Sequence, residues 1–156
     1  MALKSDRIEA YTDISFFCND TTAERGGIVV FSTTTAGSGT AMDAAGAVVT
    51  YAATASGRVP AGLLLNDVVN LDLTRQHINW HKDEVQTGSK VTLLRQGQVT
   101  TNLIVSNSGV TVGPGSGAYV GANGYLTTLS TNSTRVGTFL SAKDADGYAK
   151  VDINLT

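Results

Sequence analysis

The sequence predicts an all-β protein, a β-sandwich or small β-barrel with little helix and an extended N-terminal arm. Charged residues make up only 15% of the 156-residue chain, against about 25% in an ordinary globular protein. Thr, Ser, Asn and Gly fill the difference, and these residues favour strands, turns and loops over helix interiors. With 17 Gly and only 2 Pro, the composition is typical of short strands joined by tight turns.

The C-terminal third carries the clearest strand pattern. Residues 121–124 (Gly-Ala-Asn-Gly) and 144–147 (Asp-Ala-Asp-Gly) are turns built from residues that tolerate positive φ. After the second turn, apolar and polar residues alternate to the end of the chain, which is the period-2 pattern of a half-buried strand. The apolar positions of this predicted strand are Ala149, Val151, Ile153 and Leu155.

The N-terminal segment, residues 1–24, is predicted to be an arm, and residues 25–156 a single β-rich domain. The apolar residues of the arm are too few to build a core alone. They are Ile8, Tyr11, Ile14, Phe16 and Phe17. One interpretation is a first strand that pairs at the edge of the sheet. The other is an arm that packs on a neighbouring subunit, since termini are either docked or disordered. In the second case Phe16 and Phe17 are candidate contact residues.

The first half of the domain shows four further elements. Residues 28–31 (Ile-Val-Val-Phe) form a short apolar run, which predicts a buried strand. Residues 47–51 predict the next strand. Residues 59–62 (Val-Pro-Ala-Gly) predict a turn, and the alternating stretch 63–74 predicts a strand after it.

The second half contains a polar stretch and a candidate hairpin. Residues 75–90 are the most polar part of the chain, hold both His and the only Trp, and predict a long exposed connection. Residues 91–94 and 99–105, separated by a turn at 95–98, predict a β-hairpin. Residues 106–117 predict a Gly/Ser-rich loop.

Charge and cysteine content exclude several classes. The net charge is −2 and no cluster of Lys and Arg is present, so a nucleic-acid partner is not expected. Cys18 is the only cysteine, so it cannot form an internal disulfide and is predicted to be a small buried hydrophobic residue. The N-terminus lacks the apolar run of a signal peptide. No run approaches the roughly 20 apolar residues that span a bilayer, so no membrane partner is expected.

The polar stretch raises the question of a metal site. His77 and His81 are four residues apart, as in a zinc-binding HExxH motif, but no Glu follows His77. A polar loop anchored by Trp80 is the favoured interpretation, with no metal or cofactor. Arg75, Trp80 and His81 are then candidates for an interface patch, because aromatic and Arg residues dominate interface energetics.

Other motifs give no catalytic constellation. Residues 144–147 begin like a calcium loop, but Leu155 stands where the EF-hand Glu is required, so a plain turn is favoured. Residues 113–117 are not followed by the Gly-Lys-Ser/Thr of a P-loop. Neither Gly-Ser-Gly segment has the spacing of a nucleophile elbow. No acid, base and nucleophile converge, so an enzyme is not predicted.

Several segments together resemble the small head decoration (cement) proteins of tailed bacteriophages. They are residues 61–68 (AGLLLNDV), 87–99 (TGSKVTLLRQGQV), 117–128, 135–140 (RVGTFL) and 144–155. The resemblance covers the chain from about Ala61 to the C-terminus, whereas the first 50 residues match no pattern of that family.

This resemblance implies a non-enzymatic virion protein, made in the host cytoplasm and placed on the outer surface of the capsid. Its partners would be the phage major capsid protein and itself, as a homotrimer or else a dimer. It would lie at local three-fold or two-fold axes and clamp neighbouring capsid subunits after the head expands. A molecule that binds only the assembled shell stabilises it by mass action.

Two other classes remain open. One is a different phage structural subunit, from a tail tube or head-tail joint, for which the long connection at 75–90 could pair with the next ring. The other is a carbohydrate-binding β-sandwich module. Such sites need aromatic platforms, and aromatic residues are only 6% of this chain.

Overall fold

The computed structural model describes residues 2–32, 47–69, 84–107 and 109–155. Within these ranges the chain forms strands and one short 3-10 turn at Ala122–Gly124. The strands in chain order are β1 Ile8–Cys18, β2 Ile28–Phe31, β3 Val48–Thr50, β4 Pro60–Leu64, β5 Asp67–Val69, β6 Glu84–Gln86, β7 Lys90–Thr101, β8 Gly117–Val120, β9 Leu126–Thr127, β10 Arg135–Phe139 and β11 Ala149–Asn154. The prediction of an all-β protein with little helix is confirmed.

Five strands close into a small barrel. Neighbours in the main sheet run β1-β3-β2-β4-β7, and β1 also pairs with β7, which completes the ring. Only the β1–β3 pair in this ring is parallel. Closure of a sheet removes edges that would otherwise need a partner. β5 and β6 form a separate parallel pair, tied to the barrel by the bond from the Val68 N–H to the Ala23 carbonyl oxygen (3.0 Å).

The other four strands extend the sheet from β7 in the order β11-β10-β8-β9. This second lobe curls back on the chain that leaves β7. The Val105 N–H donates to the Leu126 carbonyl oxygen (2.8 Å), and the Leu126 N–H donates to the Leu103 carbonyl oxygen (2.9 Å). β7 therefore belongs to both lobes and joins them.

The strands β2 and β4, and the Leu93–Leu94 part of β7, are buried on both faces. Along β4, Leu63 lies in the core shared with the second lobe, whereas the next residue, Leu64, lies in the core inside the barrel. Ile28 and Val29 divide in the same way along β2. This arrangement explains why residues 28–31 and 61–65 are unbroken apolar runs, since a strand covered on both faces has no polar face.

Several local predictions are confirmed. The final strand is β11, and its Ala149, Val151 and Ile153 are buried while Lys150 and Asn154 are exposed. The runs at 28–31 and 47–51 contain β2 and β3. The turn at 121–124 forms with Asn123 at φ 54°, and the described residues of 106–116 form no strand.

Two predicted turns are wrong. Residues 60–62 belong to β4 instead of a turn. The strand predicted over 63–74 is divided between the end of β4 and β5, with a break at residues 65–66, and its residues from 70 onward lie outside the described ranges. Residues 95–98 do not turn, because β7 runs without interruption from Lys90 to Thr101. The predicted long connection at 75–90 lies largely outside the described residues, and its last part contains β6 and the first residue of β7.

Cys18 is buried with no exposed surface, as predicted, and lies in the core inside the barrel. Desolvation raises the pKa of its thiol from 9.0 to about 11. The unfolded chain therefore loses this proton near pH 9, while the folded protein keeps it until about pH 11. The stability that burial of the neutral thiol contributes is present below pH 9 and is lost as the pH rises toward 11.

We expect the free energy of unfolding to fall between pH 9 and 11, with Cys18 contributing about 2–3 kcal/mol of that fall. Tyr51, whose pKa is also raised by burial, adds to the fall only above its ordinary value of 10.0. Urea titrations at pH 8, 9 and 10 should give a flatter profile for Cys18→Ala than for the unchanged protein. Equal slopes would contradict a buried, protonated thiol.

Candidate interaction surface

The first two thirds of β1 carry large apolar side chains that no other described residue of the chain covers. Its large apolar side chains are Ile8, Tyr11 and Ile14, which are 59%, 49% and 65% exposed. Residues 8–12 are all exposed. Large apolar side chains aligned on one strand are characteristic of a contact surface, because isolated strands with such edges pair with other chains. We call these three residues, with the backbone between them, the β1 surface.

The topology explains this exposure. One edge of β1 pairs with β7 over its whole length, from the Ile8–Gln98 pair to the Phe17–Lys90 pair. On the other edge β3 reaches only the last two residues, Phe17 and Cys18. Among the described residues, no strand pairs with that second edge between Ile8 and Phe16.

The β1 surface also carries charge. Arg7 forms an ion pair with Glu9. Asp13 accepts a hydrogen bond from the Ser15 N–H (2.8 Å) and another from the Ser15 hydroxyl group, and these bonds lower the pKa of its carboxyl group. Asp13 is therefore ionised at neutral pH. No Lys or Arg of the described residues lies within ion-pair distance of it, but the positive charge of Arg95 also lowers the pKa of this carboxyl group.

Phe16 and Phe17, the contact residues predicted in the N-terminal arm, lie at the covered end of β1. The Phe16 ring packs on the Phe31 ring with centroids 5.6 Å apart. Phe17 is only 5% exposed, and the Lys90 ammonium lies 5.8 Å from its ring centroid. Both rings support the barrel. A contact role for either stays a prediction, and such a role falls mainly to the partly exposed Phe16.

The exposed members of the strand, Ile8, Tyr11 and Ile14, were recognised in the sequence as apolar but were not singled out as contacts. The sequence feature that indicates a contact role for them is that the N-terminal segment has more apolar residues than it can bury by itself. A search for aromatic residues alone favours Phe16 and Phe17, which the barrel uses for its own packing. Which apolar residues of β1 are buried and which are exposed depends on the strands that pair with β1, and these partners cannot be read from the sequence.

The second predicted patch, Arg75, Trp80 and His81, lies outside the described residues, as does the His77–His81 pair. In the parts of the chain that are described, no group of three or more His, Cys, Asp and Glu side chains is placed to hold a metal ion. The predicted interface role of this patch stays a prediction.

The calcium-like segment is a closed turn. The Asp144 carboxylate accepts hydrogen bonds from the backbone N–H groups of Asp146 (3.0 Å) and Tyr148 (2.8 Å). The bond from Tyr148 is the largest of the causes that lower the pKa of this carboxyl group. Lys4 forms an ion pair with the other carboxylate oxygen (3.4 Å). The carboxylate closes the turn, so the predicted turn at 144–147 is confirmed.

A concave feature of the surface lies beside Tyr51. It is a cleft of about 340 Å³ lined by Thr22, Glu24, Tyr51, Leu103, Asn123 and Tyr125. The Tyr51 hydroxyl group accepts from the Glu24 N–H (2.9 Å) and donates to the Glu24 carbonyl oxygen. These two bonds fix the Tyr51 side chain and hold residues 20–24 next to β3. Glu24 and Tyr125 are exposed at the rim of the cleft.

Comparison with known proteins found no match: no protein-family model matches the chain, and no curated protein does. Within the described ranges, no helix is long and apolar enough to cross a membrane. The geometry of the β1 surface is therefore the main structural guide to what the protein does.

Proposed function

We propose that the protein is a phage capsid decoration protein. It binds the outer surface of the assembled head through the β1 surface and stabilises contacts between major capsid subunits. The sequence resemblance to head decoration proteins supports this proposal. The observation that carries it is the run of Ile8, Tyr11 and Ile14 along one strand, each about half exposed or more. Such a run gains stability only when a partner covers it.

The rest of the molecule fits a structural role. A closed barrel has few strand edges that are open to other chains. The exposed apolar residues of β1 are therefore an exception within this fold and indicate a contact surface. An extended partner segment could add to the outer edge of β1 by main-chain hydrogen bonds, and contacts with the exposed Ile8 and Ile14 side chains would give specificity. This mode of contact needs no catalytic group or cofactor.

The test is co-sedimentation of the purified protein with expanded heads that lack it. We expect saturable binding at a fixed ratio to major capsid subunits. Ile14→Asp should weaken binding at least about tenfold, because burial of the new carboxylate is unfavourable. Ile14 is exposed, so the fold should survive the change.

Val59→Asp is the matched control. Val59 is also 59% exposed but lies outside β1, so the same change in charge and polarity should leave head binding unaltered. Equal loss of binding in both variants would contradict a specific role of β1. Absence of binding by the unchanged protein would overturn the proposed function, and ring-shaped particles in negative stain would then favour a tail-tube or joining subunit.

A carbohydrate-binding module is the second candidate, and the cleft beside Tyr51 is the observation that favours it. The exposed Tyr125 ring and the Glu24 carboxylate are groups of the kind that hold a polar ligand in a concave site. A glycan array with the unchanged protein and Tyr125→Ala separates this candidate from decoration. Binding that depends on Tyr125 would favour it.

A further inference from the structure

We infer that the capsid contact extends from the β1 surface across the adjoining sheet to a groove at Arg135, which takes an acidic side chain of the major capsid protein. This inference rests on the proposed function and deepens it, because it names a second part of the contact and the chemistry of the partner there. The added surface is the outward side of β7, β11 and β10, which we call the polar face. Its residues are Gln96, Gln98, Arg135, Thr138, Asp152 and Asn154.

The β1 surface is too small to hold a partner by itself. Stable interfaces bury roughly 800 Å² on each partner. Ile8, Tyr11 and Ile14 are three side chains that are each only partly exposed, so together they provide well under that area. A stable contact centred on them must therefore include side chains of neighbouring strands.

The strand pairing places the polar face directly beside the β1 surface. Ile8 of β1 pairs with Gln98 of β7, Gln98 pairs with Asp152 of β11, and Asp152 pairs with Thr138 of β10. Side chains of directly paired residues lie on the same face of an antiparallel sheet. This row crosses three steps between strands, so it spans about 14 Å from β1 to β10.

A second row lies next to the first. Tyr11 pairs with Gln96, and Gln96 pairs with Asn154. The alternate residues of β11, Val151 and Ile153, are fully buried, so the core uses the opposite side of this sheet. The polar face is therefore a continuous surface that begins at two apolar side chains of β1 and becomes polar toward β10.

A groove of about 240 Å³ lies at the far end of the polar face, lined by Arg135, Gly137, Thr138, Asp152 and Asn154. The Arg135 Nε donates to the Gly137 carbonyl oxygen (3.1 Å), and its Nη2 donates to the Thr138 hydroxyl oxygen (2.9 Å). These two bonds hold the guanidinium group in one orientation. Less side-chain entropy is then lost when a partner binds to it.

The charges of the groove define the chemistry of the partner. Among the described residues, no side chain of opposite charge lies within ion-pair distance of Arg135 or Asp152. The remaining N–H groups of Arg135 can donate to a carboxylate, and such charge-assisted hydrogen bonds are stronger than neutral ones. A capsid segment with Asp or Glu opposite Arg135, and a hydrogen-bond donor opposite Asp152, fits this groove.

Carboxyl footprinting of the unchanged protein tests whether the polar face is covered. A carbodiimide couples an amine to exposed carboxylates, and mass spectrometry of the peptides locates the label. Labelling of Asp152 should fall when the protein is bound to expanded heads. Asp146, which is exposed in the turn before β11, should keep its labelling. Equal labelling of Asp152 in the free and bound protein would overturn the inference.

Charge reversal tests the groove independently. Arg135→Glu and Asp152→Arg should each weaken binding to heads about tenfold, because each places a charge of the wrong sign opposite the partner. Asp146→Arg is the matched control, since it makes the same change in charge outside the polar face, and it should bind like the unchanged protein.

The outcomes separate this inference from the proposed function. If both groove variants bind as tightly as Asp146→Arg while Ile14→Asp binds weakly, the inference is overturned and the role of the β1 surface stands. Absence of binding by the unchanged protein would overturn the proposed function and this inference together.

Discussion

Replacing Leu63 by Ala and replacing Leu64 by Ala are each expected to lower the free energy of unfolding by about 2–5 kcal/mol. The two residues are adjacent on β4, so their side chains point to opposite faces of the sheet. Each is fully buried, Leu63 in the core shared with the second lobe and Leu64 in the core inside the barrel. In an ordinary surface strand only one of two neighbours would be costly to truncate.

Urea denaturation followed by circular dichroism measures both changes. Leu140→Ala is the control, because Leu140 is 39% exposed and its truncation should cost less than about 1 kcal/mol. A large cost at only one of Leu63 and Leu64 would contradict burial of β4 on both faces.

Replacing Gly97 by Ala is expected to cost at least about 3 kcal/mol. Gly97 lies in the middle of β7, paired with Glu9 of β1 on one side and Ile153 of β11 on the other. Its φ is 155°, and a Cβ atom there would lie 2.1 Å from the Ile8 carbonyl oxygen. The added methyl group would push β1 away from β7 and open the barrel.

The cost of Gly97→Ala has two causes, backbone strain and a steric clash of the added Cβ atom, and substitutions at two other glycines distinguish them. At Gly147, φ is 83° but no atom lies within 4 Å of the position that a Cβ atom would occupy, so Gly147→Ala should show only the backbone strain, about 1–2 kcal/mol. At Gly137 a Cβ atom would lie 1.8 Å from the Asp152 carbonyl oxygen, so Gly137→Ala should be costly in the second lobe. A Gly97→Ala cost no larger than that of Gly147→Ala would contradict the close approach of β1 and β7.

The sequence predicted those elements whose pattern is local. Alternation from Ala149 onward identified β11 because one of its faces is buried and the other is not. Asp144 and Gly147 identified their turn because its hydrogen bonds lie within a few residues. The isolated run at 28–31 identified β2, and the low charge with many Gly and Thr identified the all-β class.

The failed predictions come from residues whose role is set by a distant strand. Gln96 and Gly97 have the composition of a turn, yet they continue β7 because Gly97 lets Ile8 approach. Pro60 looks like a turn residue, yet it begins β4 where that strand pairs with Val30.

The chain itself thus determined an all-β protein of low charge, with an N-terminal segment whose apolar residues exceed what it can bury alone. Only the tertiary structure decided that β7 joins two lobes and that β4 is buried on both faces. It also decided that Phe17 belongs to the interior while Ile8, Tyr11 and Ile14 remain exposed. The physical reason is that burial on a strand depends on which strands lie beside it, and the partners of β1 are about 30 to 90 residues away in sequence.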